Sequence, residues 1–252
     1  MSLRLTAFTL FPRFFDPLLE EGVFSRGLKQ QLLSFDTVNP RDFTLDTRRT
    51  VDGHPVGGGD GMVLLPEVCS RALDSVQTTA TVVIHVSPGG KVFNNEWARH
   101  FAESSSHVVF LCGRYAGFDH RFVSSRAHHE FSIGDFVLSG GEAAAVCMMD
   151  CMARFVPGVL GNEQSARSDS FEDGLLEAPQ YTHPVEFAGQ QIPPVLLSGH
   201  HAEIAKYRRG EQIRRTALQR PDLLLRIWNT LSRSEQKIAE SLWRSGSRPS
   251  AR

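Results

Sequence analysis

Two short, continuous apolar runs constrain the fold more than any other feature of the sequence. They span Thr81–Val86 and Val108–Cys112, and each is bounded by polar residues or glycine. Apolar runs of this length are typical of strands that are buried on both faces of a parallel sheet. Helix-like segments follow them at 94–105 and 118–127. The alternation predicts an α/β layer built on a parallel sheet.

The remaining periodicities predict how the chain divides. A first strand is expected near 3–9, and an Ala- and Met-rich, largely buried helix at 141–155. Gly158–Gly174 is poor in large apolar residues, which is typical of an exposed linker or mobile loop. From about His200 the chain is helical in character. The predicted helices are 201–218, 221–230 and 234–244, the last with Ser234 as its N-cap.

Three regions follow from this organisation. Residues 1–160 are expected to form the α/β domain and residues 175–252 a small, mainly helical domain. Residues 161–174 are the predicted interdomain linker. The start of the chain lacks the basic region and apolar core of a signal peptide, and no apolar run approaches the ~18 residues of a membrane helix. A cytoplasmic protein is therefore expected.

The cysteines agree with a reducing compartment. They are Cys69, Cys112, Cys147 and Cys151, and no two of them form a C-x-x-C pair. Cys147 and Cys151 share a face of a predicted helix, but a zinc site would need two further ligands at a suitable spacing. Reduced thiols in the core are the favoured interpretation.

The net charge of −1 conceals a strong asymmetry between the two ends of the chain. Residues 200–252 contain twelve Lys and Arg against five Asp and Glu, a balance of +7, which leaves −8 for the rest. A helical domain with this excess is typical of a protein that binds a phosphate backbone. Charge alone leaves a solvated basic face as the alternative.

Glycine-rich segments stand where the chain must bend or approach a ligand closely. They are Gly57–Met62, Ser87–Gly90, Gly113–Gly117 and Ile133–Gly141, and two of them directly follow the apolar runs. Ligands of open α/β sheets bind outside the carboxyl ends of the strands. A shared cofactor crevice is therefore expected. Neither G-x-G-x-x-G nor G-x-x-x-x-G-K-[ST] occurs, which disfavours a dinucleotide fold and a P-loop.

Several longer motifs then occur together and in order. They are Pro40-Arg41-Asp42-Phe43-Thr44, Cys112-Gly113-Arg114-Tyr115-x-Gly117-x-Asp119, Ser132–Glu142 (SIGDFVLSGGE), Arg154–Gly161 (RFVPGVLG) and Pro193–Ile204 (PPVLLSGHHAEI). With them, the sequence closely resembles the bacterial tRNA (guanine-N1-)-methyltransferase family from Phe11-Pro12 to Arg220-Pro221.

The resemblance implies a SPOUT-type α/β methyltransferase domain with a deep trefoil knot, in which S-adenosylmethionine binds in a bent conformation. It implies cofactor contacts from three loops. The residues are Val86, Ser87, Pro88, Gly89, Gly113, Arg114, Tyr115, Gly117, Ile133, Gly134, Phe136, Leu138, Gly140 and Gly141.

The resemblance also implies the substrate and the catalytic residues. The methyl group would go to N1 of the guanine 3′ of the anticodon, at position 37 of tRNA. Guanine N1 carries a proton at neutral pH, so a general base must reach it, and the resemblance assigns that role to Asp169. Negative charge then develops on O6, and the resemblance assigns its stabilisation to Arg154.

The resemblance implies a homodimer whose active sites are shared between subunits. With the basic C-terminal domain, it predicts tRNA as a partner and no membrane. The residues expected to contact RNA are Gly58, Gly59, Lys206, Arg208, Arg214, Arg215 and Arg220.

The chain departs from the family pattern at position 116 and at His128-His129-Glu130, where the family has an acidic stretch before the Ser-Ile-Gly-Asp motif. Where the family reads C-G-R-Y-E-G, this chain has Ala116, which removes an acidic residue associated with the cofactor's amino-acid end. Asp119 and Glu130 are the candidate replacements. A magnesium (Mg²⁺) requirement stays open, and the metal ligands are unassigned. Two alternatives follow: a tRNA-binding protein that has lost catalysis, and a methyltransferase for another RNA base.

Overall fold

A computed structural model describes residues 2–161 and 169–244 of the chain. It divides into two compact units, residues 1–163 and 164–252. The first unit contains the predicted α/β segments, and the second contains the predicted helices of the C-terminal region.

The first unit is built on one main sheet. Its strands are β1 Leu3–Phe8, β2 Leu33–Val38, β5 Thr81–Val92, β6 His107–Cys112 and β7 His129–Ser132, while the short β3 Asp52–Gly53 and β4 Val63–Leu64 pair with each other. The main sheet has the order β2-β1-β6-β5-β7, and every neighbouring pair runs parallel. The predicted parallel α/β sheet is confirmed.

Helices cover both faces of this sheet. They are α1 Asp16–Glu20, α2 Gly22–Lys29, α3 Pro66–Asp74, α4 Asn95–Ser104, α5 His120–Arg126 and α6 Glu142–Ala153. The central strand β6 is buried along its whole length. Phe110 packs in one core cluster with Met148 of α6, and the next residue, Leu111, packs in a second cluster with Leu73 of α3. Successive side chains of β6 point to opposite faces of the sheet and therefore pack into two separate cores. Burial of each large apolar side chain stabilises the fold by roughly 1.5–3 kcal/mol.

The first of the two apolar runs forms β5, which continues beyond the predicted end at Val86. It extends to Val92, and its register with β7 shifts between Val86 and Lys91. Within this bulge, a Cβ atom on Gly90 would lie 2.4 Å from the backbone nitrogen of Phe131. The segment Ser87–Gly90 is thus a bulge within a strand rather than a turn after it, because glycine permits the close approach to β7.

The cysteines of the first unit are all free. Cys69 and Cys112 are buried, and burial raises the pKa of Cys69 to about 12 and that of Cys112 well above its usual range. Such thiols stay protonated and unreactive. The predicted core position is confirmed for these two, but it is wrong for Cys147, which is exposed.

The buried His107, at the start of β6, connects this strand to its two neighbours, β1 and β5. His107 Nε2 lies 2.8 Å from Thr6 Oγ1, and His107 Nδ1 lies 3.0 Å from Thr81 Oγ1. Burial lowers the pKa of His107, with Arg4 acting in the same direction and Asp36 opposing it. The folded unit therefore holds this imidazole neutral.

This burial predicts a loss of stability in mild acid. The pKa of His107 in the folded protein lies below the ordinary value of 6.5. The contribution of His107 to the free energy of unfolding is therefore fully present above that value, and it is lost as the pH falls towards the folded pKa. Urea unfolding should therefore give a lower free energy of unfolding at about pH 5.5 than at about pH 7.5. His107→Gln should reduce this difference, and His85 and His129, whose pKa values are also lowered, should supply the remainder. An unchanged pH dependence in the variant would contradict this account.

The second unit is mainly helical. Its elements are the hairpin strands β8 Glu186–Phe187 and β9 Gln190–Gln191 and the helices α7 Pro194–Leu197, α8 His201–Gln219, α9 Pro221–Arg226 and α10 Arg233–Arg244. Its core consists of Leu175, Ile213, Ala217, Leu224, Leu231 and Ala239. None of the helices within the described ranges has the length and apolar character needed to span a membrane.

The structure differs from the prediction at the boundaries of two helices in this unit. The segment 221–230 ends as a helix at Arg226 and continues as a 3₁₀ turn, Trp228–Thr230. The N-cap of α10 is Ser232 rather than the predicted Ser234. The backbone nitrogen of Ser232 donates to Glu235 Oε2 at 2.7 Å, and Glu235 N donates to Ser232 Oγ at 3.4 Å. This reciprocal pair is a capping box, which the spacing S-x-x-E makes possible.

The predicted linker, residues 161–174, falls partly on residues 162–168, which lie outside the described residues. From Asp169 onward it belongs to the second unit. Leu175, which directly follows it, is fully buried in the core of that unit.

Candidate functional site

A cavity of about 280 Å³ lies in the first unit, between the bulge of β5 and the glycine-rich loops that follow β6 and β7. We call it the strand-end cavity. Eleven of the fourteen predicted cofactor-binding residues line it, namely Val86, Ser87, Pro88, Gly113, Tyr115, Gly117, Ile133, Phe136, Leu138, Gly140 and Gly141. Gly89, Arg114 and Gly134 lie outside the lining. The three predicted loops therefore meet at one cavity, as expected for a parallel sheet.

The lining also contains residues that were not among the predicted cofactor-binding residues. They are His85, Ala116, Phe118, Phe131, Ser132, Val137, Ser139 and Ala144. Most lie one or two positions from a predicted residue in the same loop or strand. Their positions beside the glycine segments could have predicted that they line the cavity. Ala144 lies on α6, and only the packing of that helix places it in the lining.

Close backbone contacts explain why glycines surround the strand-end cavity. A Cβ atom on Gly141 would lie 2.9 Å from Cys112 Cα, so a larger residue would push α6 away from the end of β6. Gly117 has a φ of +92°, which favours glycine, and Tyr115 also has a positive φ of 60°. Ala116 N donates to Met62 O at 2.8 Å, so the loop 113–117 is anchored to the 57–62 segment.

Beneath the loops lies a buried ion pair. Arg114 Nε lies 2.9 Å from Glu142 Oε2, and Glu142, the first residue of α6, is fully buried. Thr9 Oγ1 donates to Glu142 Oε1 at 2.8 Å. Arg114 Nη1 donates to Ser139 O at 3.2 Å, and the guanidinium lies 4.4 Å from the centre of the Phe11 ring. The side chain of Arg114 thus joins two of the loops that line the cavity.

The two candidate replacements for the missing acidic residue at position 116 differ in their surroundings. Asp119 accepts from Arg121 at 3.0 and 2.8 Å, and these hydrogen bonds lower its pKa to about 2. Glu130 Oε1 lies 3.2 Å from Nδ1 of His85, which lines the cavity. Burial lowers the pKa of His85, and Glu130 opposes that shift. Of these two candidates, Glu130 is therefore the one that contacts a residue of the cavity lining.

The rim of the strand-end cavity is apolar and exposed. Phe136, Val137 and Leu138 are 53%, 83% and 41% exposed, and Tyr115 is 54% exposed. Adjacent exposed apolar side chains of this size often mark an interaction surface. No group of three or more His, Cys, Asp or Glu side chains suited to a metal ion occurs within residues 2–161 and 169–244.

The predicted catalytic pair falls in different units. Arg154 is half-buried and directly follows α6 in the first unit. Asp169 is half-buried and is the first described residue of the second unit. Their predicted roles therefore depend on both units.

The predicted RNA-contacting residues differ in their partners. Lys206 and Arg208 are exposed, and neither forms an ion pair with a residue in the described part of the chain. Arg214 pairs with Glu211, Arg220 pairs with Asp222, and Arg215 donates to Glu177 O at 3.1 Å. Gly58 and Gly59 are exposed, with φ values of +85° and +121°.

A family model described as tRNA (Guanine-1)-methyltransferase TrmD matches residues 3–226. The chain belongs to this family. The SPOUT-type knotted fold follows from that membership, and the parallel sheet with its helical second unit agrees with it.

Curated relatives support the same membership of the TrmD family. The chain is 45% identical over 240 residues to the tRNA (guanine-N(1)-)-methyltransferase of Staphylococcus carnosus, covering 95% of this chain and 97% of the relative. It is 46% identical over 226 residues to that of Pseudoalteromonas translucida, covering 88% of each chain. It is 45% identical over 245 residues to that of Burkholderia vietnamiensis, covering 94% and 92%.

Proposed function

We propose that this TrmD-family protein transfers the methyl group of S-adenosylmethionine to N1 of guanine 37 in tRNA, in the cytoplasm. The observation that carries the proposal is the family match over residues 3–226. It is supported by the strand-end cavity, to which the three predicted cofactor loops contribute.

The cavity fits the proposed cofactor in size and character. Its volume of about 280 Å³ is near the lower end of small-molecule sites, and its lining mixes apolar side chains with exposed backbone groups at glycines. A Cβ atom at Gly141 would clash with the backbone at the end of β6. S-adenosylmethionine, when bound, supplies an activated methyl group on a sulfonium. The protein's task is then to orient the guanine and to remove its N1 proton.

Asp169 and Arg154 are proposed to carry the proton chemistry. The Asp169 carboxylate accepts the proton from guanine N1, which makes N1 nucleophilic. The Arg154 guanidinium donates hydrogen bonds to O6, where negative charge develops. Because a guanidinium stays charged and is planar, it suits this task better than an ammonium group. The target base must first leave its stack.

The second unit is proposed to hold the tRNA backbone. Residues 200–252 carry a balance of +7, and phosphate contacts position a nucleic acid without reading its sequence. Gly58, Gly59, Arg214, Arg215 and Arg220 are proposed to add RNA contacts to those of Lys206 and Arg208.

The exposed pair Lys206 and Arg208 gives a direct test of this surface. Replacing both by alanine should weaken tRNA binding and lower the slope of log Kd against log salt by roughly one per residue. Arg220→Ala should have a smaller effect, because that guanidinium already pairs with Asp222. Filter binding of a tRNA transcript over a salt series measures both quantities. An unchanged slope in the double variant would show that Lys206 and Arg208 do not contact the tRNA phosphates.

We also propose a homodimer with active sites shared between subunits. The exposed Phe136, Val137 and Leu138 at the cavity rim support an apolar contact with a second chain. Sedimentation equilibrium of the protein and of Val137→Glu tests it, since a buried carboxylate at the interface should shift the population to monomer.

The deciding experiment compares two tRNA transcripts that differ only at position 37. Labelled methyl groups should enter the G37 transcript and not the A37 transcript, and product digestion should give N1-methylguanosine. Equal labelling of both would indicate another base. Retained salt-sensitive tRNA binding without calorimetric S-adenosylmethionine binding would indicate a protein that has lost catalysis. Repeating the assay after EDTA treatment, with and without Mg²⁺, decides the metal requirement.

A further inference from the structure

The segment that carries Asp169 is fastened to the helices of the second unit. Leu175 is fully buried in the core of that unit. Leu176 N donates to Thr216 Oγ1 on α8 at 2.9 Å, and Arg215 Nη1 donates to Glu177 O at 3.1 Å. Glu177 N donates back to Ser170 Oγ at 3.0 Å. Asp169 therefore leads directly into a part of the chain that is tied to α8.

A closed turn lies between Asp169 and this attachment. Phe171 N donates to Leu175 O at 2.7 Å, and Gly174 N donates to Phe171 O at 3.2 Å. Phe171 has a φ of 81°, a strained conformation for a residue other than glycine. Such a conformation persists only where surrounding contacts hold it. Asp173 lies at the tip of this turn.

One side chain of α8 contacts the tip. Arg209 Nη1 pairs with Asp173 Oδ2, and Arg209 Nε donates to Glu235 Oε1 at 2.7 Å. The hydrogen bond from Arg209 is the largest cause that lowers the pKa of Glu235 to about 2. Glu235 also caps α10 through Ser232 N. Arg209 thus links the turn to the junction of two helices.

We propose that Arg209 is a positioning residue for the reaction, which holds the Asp169 segment against α8 through Asp173. The inference rests on the proposed role of Asp169 as the general base. The proposed role of Arg209 differs from that of its exposed neighbour Arg208, because the Arg209 guanidinium pairs with two carboxylates. Its loss should therefore disturb the placement of the base rather than the binding of phosphates.

The expected effect falls on the chemical step. Misplacement of a reacting group by about 1 Å can cost up to about a hundredfold in rate. Arg209→Ala and Asp173→Asn should each lower the single-turnover rate at saturating tRNA and S-adenosylmethionine by roughly tenfold or more. The affinity for S-adenosylmethionine and the salt slope of tRNA binding should stay at their wild-type values.

Asp173→Asn and three further variants make the test specific. Asp173→Asn leaves the Arg209–Glu235 pair in place, so it reports on the turn even if Arg209→Ala unfolds the unit. The double variant should be no slower than Arg209→Ala alone, because that substitution already removes the contact between Arg209 and Asp173. Arg233→Ala removes a different ion pair of the second unit, with Glu240, and should leave the rate unchanged. Arg208→Ala should weaken tRNA binding and lower the salt slope.

Rapid-quench measurement of methyl transfer, with tRNA and cofactor titrations on the same proteins, gives all of these quantities. Arg209→Ala with a wild-type saturated rate but a lower salt slope would make Arg209 a phosphate contact and overturn the proposal. An inactive Asp169→Ala beside full rates in Asp173→Asn and Arg209→Ala would also overturn it, while the proposed function stands. A wild-type rate in Asp169→Ala would instead show that Asp169 is not the general base.

Discussion

Asp169→Ala is expected to lower the single-turnover rate of methyl transfer by about 10²–10⁴-fold, the usual contribution of a general base. The physical reason is that guanine N1 keeps its proton at neutral pH and attacks poorly until the proton is removed. The affinity for S-adenosylmethionine should change little, because the strand-end cavity is lined by residues between His85 and Ala144. Rapid-quench transfer to a G37 transcript and calorimetric titration of S-adenosylmethionine measure the two effects separately.

Two variants control for this substitution. Asp169→Asn keeps the size of the side chain but is a much weaker base, so it should be nearly as slow as the alanine variant. Asp150→Ala removes an exposed carboxylate of α6 that has no proposed part in the reaction, and it should keep the wild-type rate. A parallel loss of cofactor affinity in Asp169→Ala would make Asp169 a binding residue rather than the base.

Glu142→Ala should give a large loss of stability in the first unit. The carboxylate is fully buried beside Arg114, and its removal leaves that guanidinium without its ion-pair partner. Breaking a buried ion pair from one side typically costs about 3–5 kcal/mol. Because Arg114 also donates to Ser139 O, the loops around the strand-end cavity should loosen, and S-adenosylmethionine affinity should fall with stability.

Urea unfolding and calorimetry measure these two losses. Thr9→Val is the matched control, since it keeps the Arg114–Glu142 pair and removes the hydroxyl that donates to Glu142 and accepts from Phe11 N, and it should cost about 1–3 kcal/mol. Gly140→Ala should resemble Glu142→Ala, because its Cβ atom would lie 2.3 Å from Arg114 Nε. A Glu142→Ala protein with wild-type unfolding free energy would show that the pair contributes nothing net to the fold.

Much of the fold was predictable because its signals are local. The apolar run Val108–Cys112 becomes the fully buried centre of the sheet, and the helix predicted at 94–105 appears as Asn95–Ser104. The extension of β5 beyond Val86 was not predictable, because it depends on Gly90 meeting Phe131 of another strand. The N-cap at Ser232 was a missed local signal, since its S-x-x-E spacing is visible in the chain.

The candidate site shows the same division. The glycine loops were predicted, and eleven of fourteen residues line one cavity, since the carboxyl ends of parallel strands meet at one edge. The position of Arg114 was not predictable. The sequence shows Arg114 only as a cation in a loop, and the buried Glu142 that pairs with it lies 28 positions further along the chain.

The sequence by itself determined the parallel α/β layer, the helical second unit, the charge split of −8 and +7, and the family resemblance. These depend on periodicity, composition and motifs, which are properties of neighbouring residues. Tertiary structure alone decided that Arg114 pairs with Glu142, that Glu130 meets His85, and that Arg209 engages Asp173 and Glu235. The partners in these pairs are 26 to 45 positions apart, so only packing brings their charges within hydrogen-bond distance.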